Sequence, residues 1–269
     1  MYRHRKVAVL KHFEKDTRMT LHTFGEGKRQ EICSEIIASS PITEKYDTVI
    51  LLPIPSTRDK IHVTGTKVPL CDLLKLKNGK TLIIGYGIPL TLAKDFIGAG
   101  IELSDVLCDE EFLRENAELT AHGAAGVILT ENKNDVSDMK IGIIGYGRIG
   151  KILSRILLFL GAKTVIFTRS AQTRLELWGV GIEAASSEEI SKYSDMDILI
   201  NTAPARLLSE KDAAVLCEGG CKLIELASGD QLPDVQGKLK LPSIPDKMYP
   251  VSAGKIYAKA ILRSIGGVL

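Results

Sequence analysis

The stretch from Lys140 to Gly161, KIGIIGYGRIGKILSRILLFLG, leaves this chain few ways to fold. An apolar run (Ile141, Ile143, Ile144) ends in Gly145-Tyr146-Gly147-Arg148-Ile149-Gly150, and a helical pattern follows at once through Ile152, Leu153, Ile156, Leu157 and Leu160. Strand, tight turn and helix in succession is the context that gives a G-x-G-x-x-G spacing its meaning as a dinucleotide site. Gly145 permits the turn, Gly147 lets backbone N–H groups approach a pyrophosphate, and Gly150 lets the helix pack closely on the strand. Tyr146, Arg148 and Ile149 complete the loop. The anion then rests on the helix N-terminus, where unsatisfied N–H groups and the positive dipole end favour it. A ligand-free glycine-rich turn in a doubly wound sheet is the plainer alternative, and the next strand argues against it.

That strand, Lys163 to Arg169 (KTVIFTR), should end beside an adenosine ribose. An Asp or Glu there hydrogen-bonds the 2′-hydroxyl of NAD, whereas an Arg accommodates the extra phosphate of NADP. The chain has Thr168-Arg169-Ser170, with Arg174 one turn on and no acid nearby. A guanidinium and two hydroxyls bind a phosphate that a carboxylate would repel, so NADP is the expected cofactor.

The remaining classes narrow quickly. In 269 residues, 45% apolar content supports a sizeable core, and the net charge of +2 comes from interspersed Lys, Arg, Asp and Glu with no basic stripe for nucleic acid. No apolar run is long enough to cross a bilayer and no secretory signal opens the chain, so a cytoplasmic enzyme is expected. Cys33, Cys71, Cys108, Cys217 and Cys221 contain no C-x-x-C and have no His at metal-ligand spacing, so they read as reduced thiols and no metal site is expected.

Read in order, the chain alternates strands and helices, which argues for an α/β protein with two open parallel-sheet domains, the second of Rossmann type. Residues 1–115 form a small substrate-side domain. Its opening, MYRHRKVAVLKHFEKD, reads either as a strand at Val7 to Leu10 or as a helix with Tyr2, Lys6, Val9, Leu10 and Phe13 on one face; helix is preferred. A helix running into the alternating Met19, Leu21 and Thr23 implies that the domain lacks its first strand. A turn and short helix follow over 25–45, then strands at Asp47 to Pro53, Lys80 to Tyr86 and Ile101 to Val106, with short helices at Leu70 to Leu76 and Leu90 to Gly98. Residues 116–136 form an interdomain helix and hinge. Residues 137–245 form the NADP-binding domain, whose later strands run Asp197 to Asn201 and Lys222 to Leu226. The loops after them, with Thr202, Ala203 and Pro204 and with Ala227 and Ser228, should flank the nicotinamide, because ligands lie beyond the carboxyl ends of such strands. Residues 246–269 form a C-terminal helix, N-capped by Ser252, packing back on the first domain.

With these residues placed, the chain resembles the family of the dipicolinate synthase A subunit, itself similar to the D-isomer 2-hydroxyacid dehydrogenases in the NAD(P)-binding half. The likeness rests on IGIIGYGRIG with FTRS, INTAP at Ile200 to Pro204, ELAS at Glu225 to Ser228, PVSAGKI at Pro250 to Ile256 and, more weakly, NAELTAHGA at Asn116 to Ala124. The resemblance implies an NADP-linked oxidoreductase that converts a dihydrodipicolinate-type intermediate to pyridine-2,6-dicarboxylate, the spore-core chelator of dipicolinic acid biosynthesis in sporulation. It also implies a small dicarboxylate substrate and, as partner, a flavoprotein-like B subunit; a homo-oligomer is expected. The family's Gly-Gly-Asp strand end reads as absent, and its interdomain Pro-Thr-Ala-Glu-Gly is here Leu119-Thr120-Ala121-His122-Gly123. The hydroxyacid dehydrogenases place a catalytic Arg where this chain has Ser228 and a His before the last helix where PVSAG has none, which argues against ordinary 2-hydroxyacid oxidation.

The catalytic candidates are His122, Ser228, Asn116 and Thr120. A histidine suits proton transfer near neutral pH, although on an Ala-rich helix it is as often a packed side chain. Asn116 and Thr120 are taken to share its face, only their four-residue step being well aligned. Ser228 can hydrogen-bond a carboxylate; Ser252 and Arg206 offer the same, or a helix cap and a solvated charge. Two rival readings stay open: an NADP-binding subunit without turnover, and a reductase for another small carboxylate.

Overall fold

The computed structural model describes residues 7–9, 19–40 and 45–266. In chain order the first elements are β1 (Val7–Val9), β2 (Thr20–Thr23), α1 (Lys28–Ser39), β3 (Thr48–Leu51), a 3-10 turn at Leu70–Leu76, β4 (Thr81–Gly85), α2 (Leu90–Gly98) and β5 (Ile101–Asp105). The long α3 (Glu110–Glu131) leads to β6 (Lys140–Ile144), α4 (Arg148–Phe159), β7 (Lys163–Phe167), α5 (Ala171–Gly179) and β8 (Glu183–Ala185). A 3-10 turn at Ser187–Lys192, β9 (Ile198–Asn201), α6 (Glu210–Glu218), β10 (Lys222–Glu225), β11 (Leu239–Lys240), α7 (Ile244–Met248) and α8 (Pro250–Ile265) complete the chain.

These elements form two compact units, Met1–Asn116 with Tyr249–Leu269, and Ala117–Met248. The first holds a five-stranded sheet in the order β1-β2-β3-β4-β5, in which β2 to β5 run parallel and β1 is an antiparallel edge. Every residue of β3 and β4 is buried, as in a parallel sheet covered on both faces. One face packs under α1, α8 and Phe112, the other under Leu70, Leu73 and Phe96. Tyr257 of α8 is fully buried and donates to Leu52 O at 2.7 Å.

Three expectations change here. The opening contributes the strand β1 at Val7–Val9 where a helix is preferred from sequence; the rest of that proposed helix lies outside the described residues. The first strand is also not missing from the first domain: β2, the Gly25-Glu26-Gly27 turn and α1 make a complete strand-turn-helix, and β1 occupies the sheet edge. α1 is the short helix expected over 25–45, and its buried positions include Cys33 and Ile37 but also Arg29 and Gln30. Finally, α8 begins two residues before Ser252, with Pro250 in its first turn, where the fixed φ of proline suits helix entry; Ser252 lies inside the helix and does not cap it.

The second unit holds a six-stranded parallel sheet in the order β11-β10-β9-β6-β7-β8. Chain order reverses between β6 and β9, the signature of a doubly wound Rossmann-type sheet. Its helices bury apolar stripes at helical spacing: Gly150, Leu153, Ser154 and Leu157 on α4, and Ala121, Ala124, Ala125 and Ile128 on α3. Among the described residues, no helix is long and apolar enough to cross a membrane.

Candidate functional site

The site is built where the sheet order of the second unit reverses. β6 ends at Ile144, and Gly145 turns the chain with φ of 95°, a left-handed conformation that a side chain would strain. α4 then starts at Arg148 behind Gly147, which caps it without any side-chain hydrogen bond. The first amides of α4 therefore have no side-chain acceptor at the cap and are available to an anion. A Cβ on Gly147 would meet nothing within 4 Å, whereas one on Gly150 would collide with Gly145 O and lie 3.2 Å from Thr202 Oγ1. Gly147 thus leaves open space over the helix end, and Gly150 lets α4 come down onto the strand. Lys151 Nζ sits 5.5 Å from the centre of the Tyr146 ring, adding a cation beside the turn that sequence reading passed over.

The loop after β9 is tied directly to this turn. Thr202 Oγ1 donates to Ile144 O at 2.9 Å, with Gly145 O at 3.3 Å, and Thr202 N donates to Ile144 O at 2.9 Å. Thr202 and Ala203 are the side chains nearest the position a Gly145 Cβ would take. At the next strand, Ala227 is half-buried and Ser228 exposed in the loop that follows β10. Two residues not singled out from sequence lie beneath both loops. Asn201 and Glu225 end their strands as register partners, and both are buried. Asn201 Nδ2 donates to Glu225 Oε1 at 2.9 Å; Ala227 N donates to the same oxygen at 2.9 Å and Leu232 N to Oε2 at 2.6 Å. The signal available was a polar residue closing each of two apolar strands, DILIN and KLIEL.

At the adenosine end, Thr168 is half-buried and Arg169 exposed, and among the described residues the Arg169 guanidinium has no hydrogen-bond or ion-pair partner. Ser170 is also the N-cap of α5, its Oγ accepting from Thr173 N at 3.1 Å. Arg174 is committed otherwise than expected: its Nη1 donates to Thr168 O at 2.7 Å, holding the strand end in place. Arg206 pairs with Glu210 at 3.0 Å across one exposed turn.

On α3 the expected grouping separates. His122 is exposed while Thr120 is buried, because two residues along a helix turn about 200°. Asn116 and Thr120 keep the aligned four-residue step; His122 does not share their face. Among the described residues no group of His, Cys, Asp and Glu is arranged to hold a metal ion. In the first unit, a cavity of about 470 Å³ is lined by Asp105, Asp109, Glu110 and Glu111, with Arg263 engaged by Asp109 at 2.7 Å and Glu111 at 3.1 Å.

Comparison with known proteins agrees with this geometry. Residues 111–220 match the family model "D-isomer specific 2-hydroxyacid dehydrogenase, NAD binding domain". The second unit is thus an NAD(P)-binding domain of Rossmann type. Dipicolinate synthase A chain from Bacillus subtilis superposes with a TM-score of 0.75 at 19% identity, over 91% of this chain and 95% of that one. The A subunit of dipicolinate synthase from Bacillus halodurans gives 0.69 at 21% identity, over 81% and 79%. D-lactate dehydrogenase from Salmonella gives 0.62 at 12% identity, over 91% and 94%. The structural neighbours therefore include the family that the sequence resembles, and at these identities the likeness is one of fold. No curated protein matches by sequence. The groups present fit a dinucleotide: an open helix N-terminus, a glycine with free space above it, and at the end of β7 a guanidinium without a partner among the described residues.

Proposed function

We propose that this chain is an NADP-dependent oxidoreductase of the kind represented by the dipicolinate synthase A subunit, forming pyridine-2,6-dicarboxylate from a dihydrodipicolinate-type intermediate. The observation that carries the reading is the pairing of the α4 cradle with Arg169, exposed beside Thr168 and Ser170 at the end of β7, where no carboxylate stands. When bound, the cofactor accepts a hydride, and the substrate releases a proton as its ring becomes aromatic. This chain's own residues hold and orient. The Gly145 to Gly150 amides take the pyrophosphate, and Arg169 with Thr168 and Ser170 takes the 2′-phosphate. Thr202, Ala203, Pro204, Ala227 and Ser228 flank the nicotinamide ribose and ring. His122, exposed on α3, accepts the proton and the Ser228 hydroxyl donates to a substrate carboxylate; Asn116 and Thr120, on another face of α3, are assigned to holding that helix in place. Residues 1–115 are assigned to the substrate side, with 116–136 as the connecting helix and hinge. The proposed setting is cytoplasmic, as a homo-oligomer working with a flavoprotein-like B subunit.

A second reading, an NADP-binding subunit without turnover, is favoured by one observation: His122 stands off the Asn116 and Thr120 face. Hydride transfer measured with purified protein, with and without the flavoprotein partner, separates the two. Turnover in either condition supports the first; none in both leaves the second. Calorimetry tests the cofactor. NADPH is expected to bind about tenfold more tightly than NADH, with Arg169→Ala removing the difference, as loss of one charge-assisted phosphate contact requires. Equal affinities in the unaltered protein would refute the role of Arg169.

A further inference from the structure

A carboxylate buried between two strand ends is an expensive way to close a sheet, since desolvating it costs several kcal/mol unless donors surround it. Glu225 has such donors, and each belongs to a different part of the loops above. Asn201 Nδ2 at 2.9 Å comes from the end of β9, Ala227 N at 2.9 Å from the start of the following loop, and Leu232 N at 2.6 Å from its far end. Asn201 in turn accepts from Ala203 N and donates to Ala203 O, both at 3.1 Å, fixing the turn after β9. The pair therefore joins the 202–203 turn and both ends of the 227–232 loop through one buried network. A second device holds the loop from outside. Asp230, in the left-handed region with φ of 53°, accepts from Lys238 Nζ at 3.0 Å and Lys240 Nζ at 2.6 Å. The Lys238 side chain is only 2% exposed and also donates to Leu232 O at 3.0 Å.

We propose that Glu225 and Asn201 are positioning residues that lock the loops after β9 and β10 into one preformed wall, against which the nicotinamide half of the dinucleotide is oriented. This rests on the dinucleotide reading given above. Neither side chain touches the cofactor; both act through the backbone of Ala203, Ala227 and Leu232. The adenosine end is assigned to β7 and α5, which among the described residues have no direct hydrogen bond to Asn201 or Glu225. Damage to the pair should therefore weaken one half of the ligand's contacts and spare the other.

The test is calorimetric binding of NADPH and of adenosine 2′,5′-bisphosphate, which lacks the nicotinamide half, to the full chain. Glu225→Gln puts an amide N–H against backbone N–H donors and is expected to weaken NADPH about tenfold, the worth of one hydrogen bond to a charged group, while the bisphosphate binds as before. Equal weakening of both ligands, or of neither, overturns the proposal. If Glu225→Gln does not fold, Asp230→Asn keeps the left-handed conformation, loosens the outer clamp, and should move NADPH alone in the same direction; an unchanged NADPH affinity then overturns it. An unaltered chain that binds neither NADPH nor NADH overturns the cofactor reading instead.

Discussion

Each unit contains a strand that runs through a glycine turn into a helix, and the two junctions align residue for residue. Gly25-Glu26-Gly27-Lys28-Arg29-Gln30 in the first stands against Gly145-Tyr146-Gly147-Arg148-Ile149-Gly150 in the second. Gly25 and Gly145 have nearly the same φ, 96° and 95°, and neither α1 nor α4 has a side-chain hydrogen bond at its N-cap. They part at the sixth position. Gly150 is needed because a Cβ there would strike Gly145 O, whereas Gln30 is buried, with its Nε2 left without a partner. They part again in the sheet: β6 lies between β9 and β7, where chain order reverses, but β2 lies between β1 and β3 in an order that never reverses. Accordingly Gly145 faces Thr202 and Ala203 from the neighbouring loop, while Gly25 is packed against Pro53. A G-x-G turn supplies only an open helix end. A dinucleotide site also needs the close helix packing and the crevice at the reversal.

The sharpest way to break this contrast is to exchange what differs. Gly150→Ala should cost about 2 kcal/mol, the usual penalty of overpacking against backbone that cannot retreat, and NADPH binding should fall by more than any other single change in the turn. Thermal unfolding and calorimetry read the two effects, and unaltered affinity would discredit the role of Gly150. Gln30→Ala, its counterpart, removes an orphaned amide and should leave NADPH affinity unchanged; a loss would show that the first junction contributes to cofactor binding.

Gly147→Ala separates stability from binding. With nothing within 4 Å of the new methyl, the fold should lose about 1 kcal/mol or less, the range of an N-cap change, while the anion's seat is partly filled and affinity drops. Equal affinity would place the pyrophosphate elsewhere.

The smallest effect expected is in the thiols. Burial pushes both Cys33 and Cys221 up, Cys221 to about 12, while Cys71 and Cys108 are exposed. Alkylation should reach Cys71 and Cys108 first and the buried pair only as each unit opens. Gly150→Ala should speed labelling of Cys221 and leave Cys33 at its former rate; a matched acceleration would mean the units open together. Unfolded thiols ionise before the folded ones, so stability should fall progressively as pH rises above 9.0 toward about 12.

Much of the second unit was legible because its signals are local. The apolar run before Gly145, the glycine spacing and the helical stripe after it are set by nearest-neighbour sterics and amphipathic period. The first unit was read less well for the same reason. β1 is too short to show alternation, and α1, expected as a short helix, has buried Arg29 and Gln30 among its core positions, which blurs the stripe that would have fixed its bounds. On α3, spacing alone shows that Asn116 and Thr120 align and that His122, two residues on, turns away from Thr120; burial adds that Thr120 faces inward and His122 outward.

By itself the sequence determined that the chain is α/β, where its glycine turn lies, and that an arginine rather than a carboxylate closes the next strand, because each depends on residues adjacent in the chain. Tertiary structure decided that β6 lies beside β9, that Thr202 ties its loop to the glycine turn, and that Asn201 and Glu225 meet beneath the two loops. These are pairings between residues far apart in sequence, and no local preference specifies them; they exist only once strand order and register bring the two ends together.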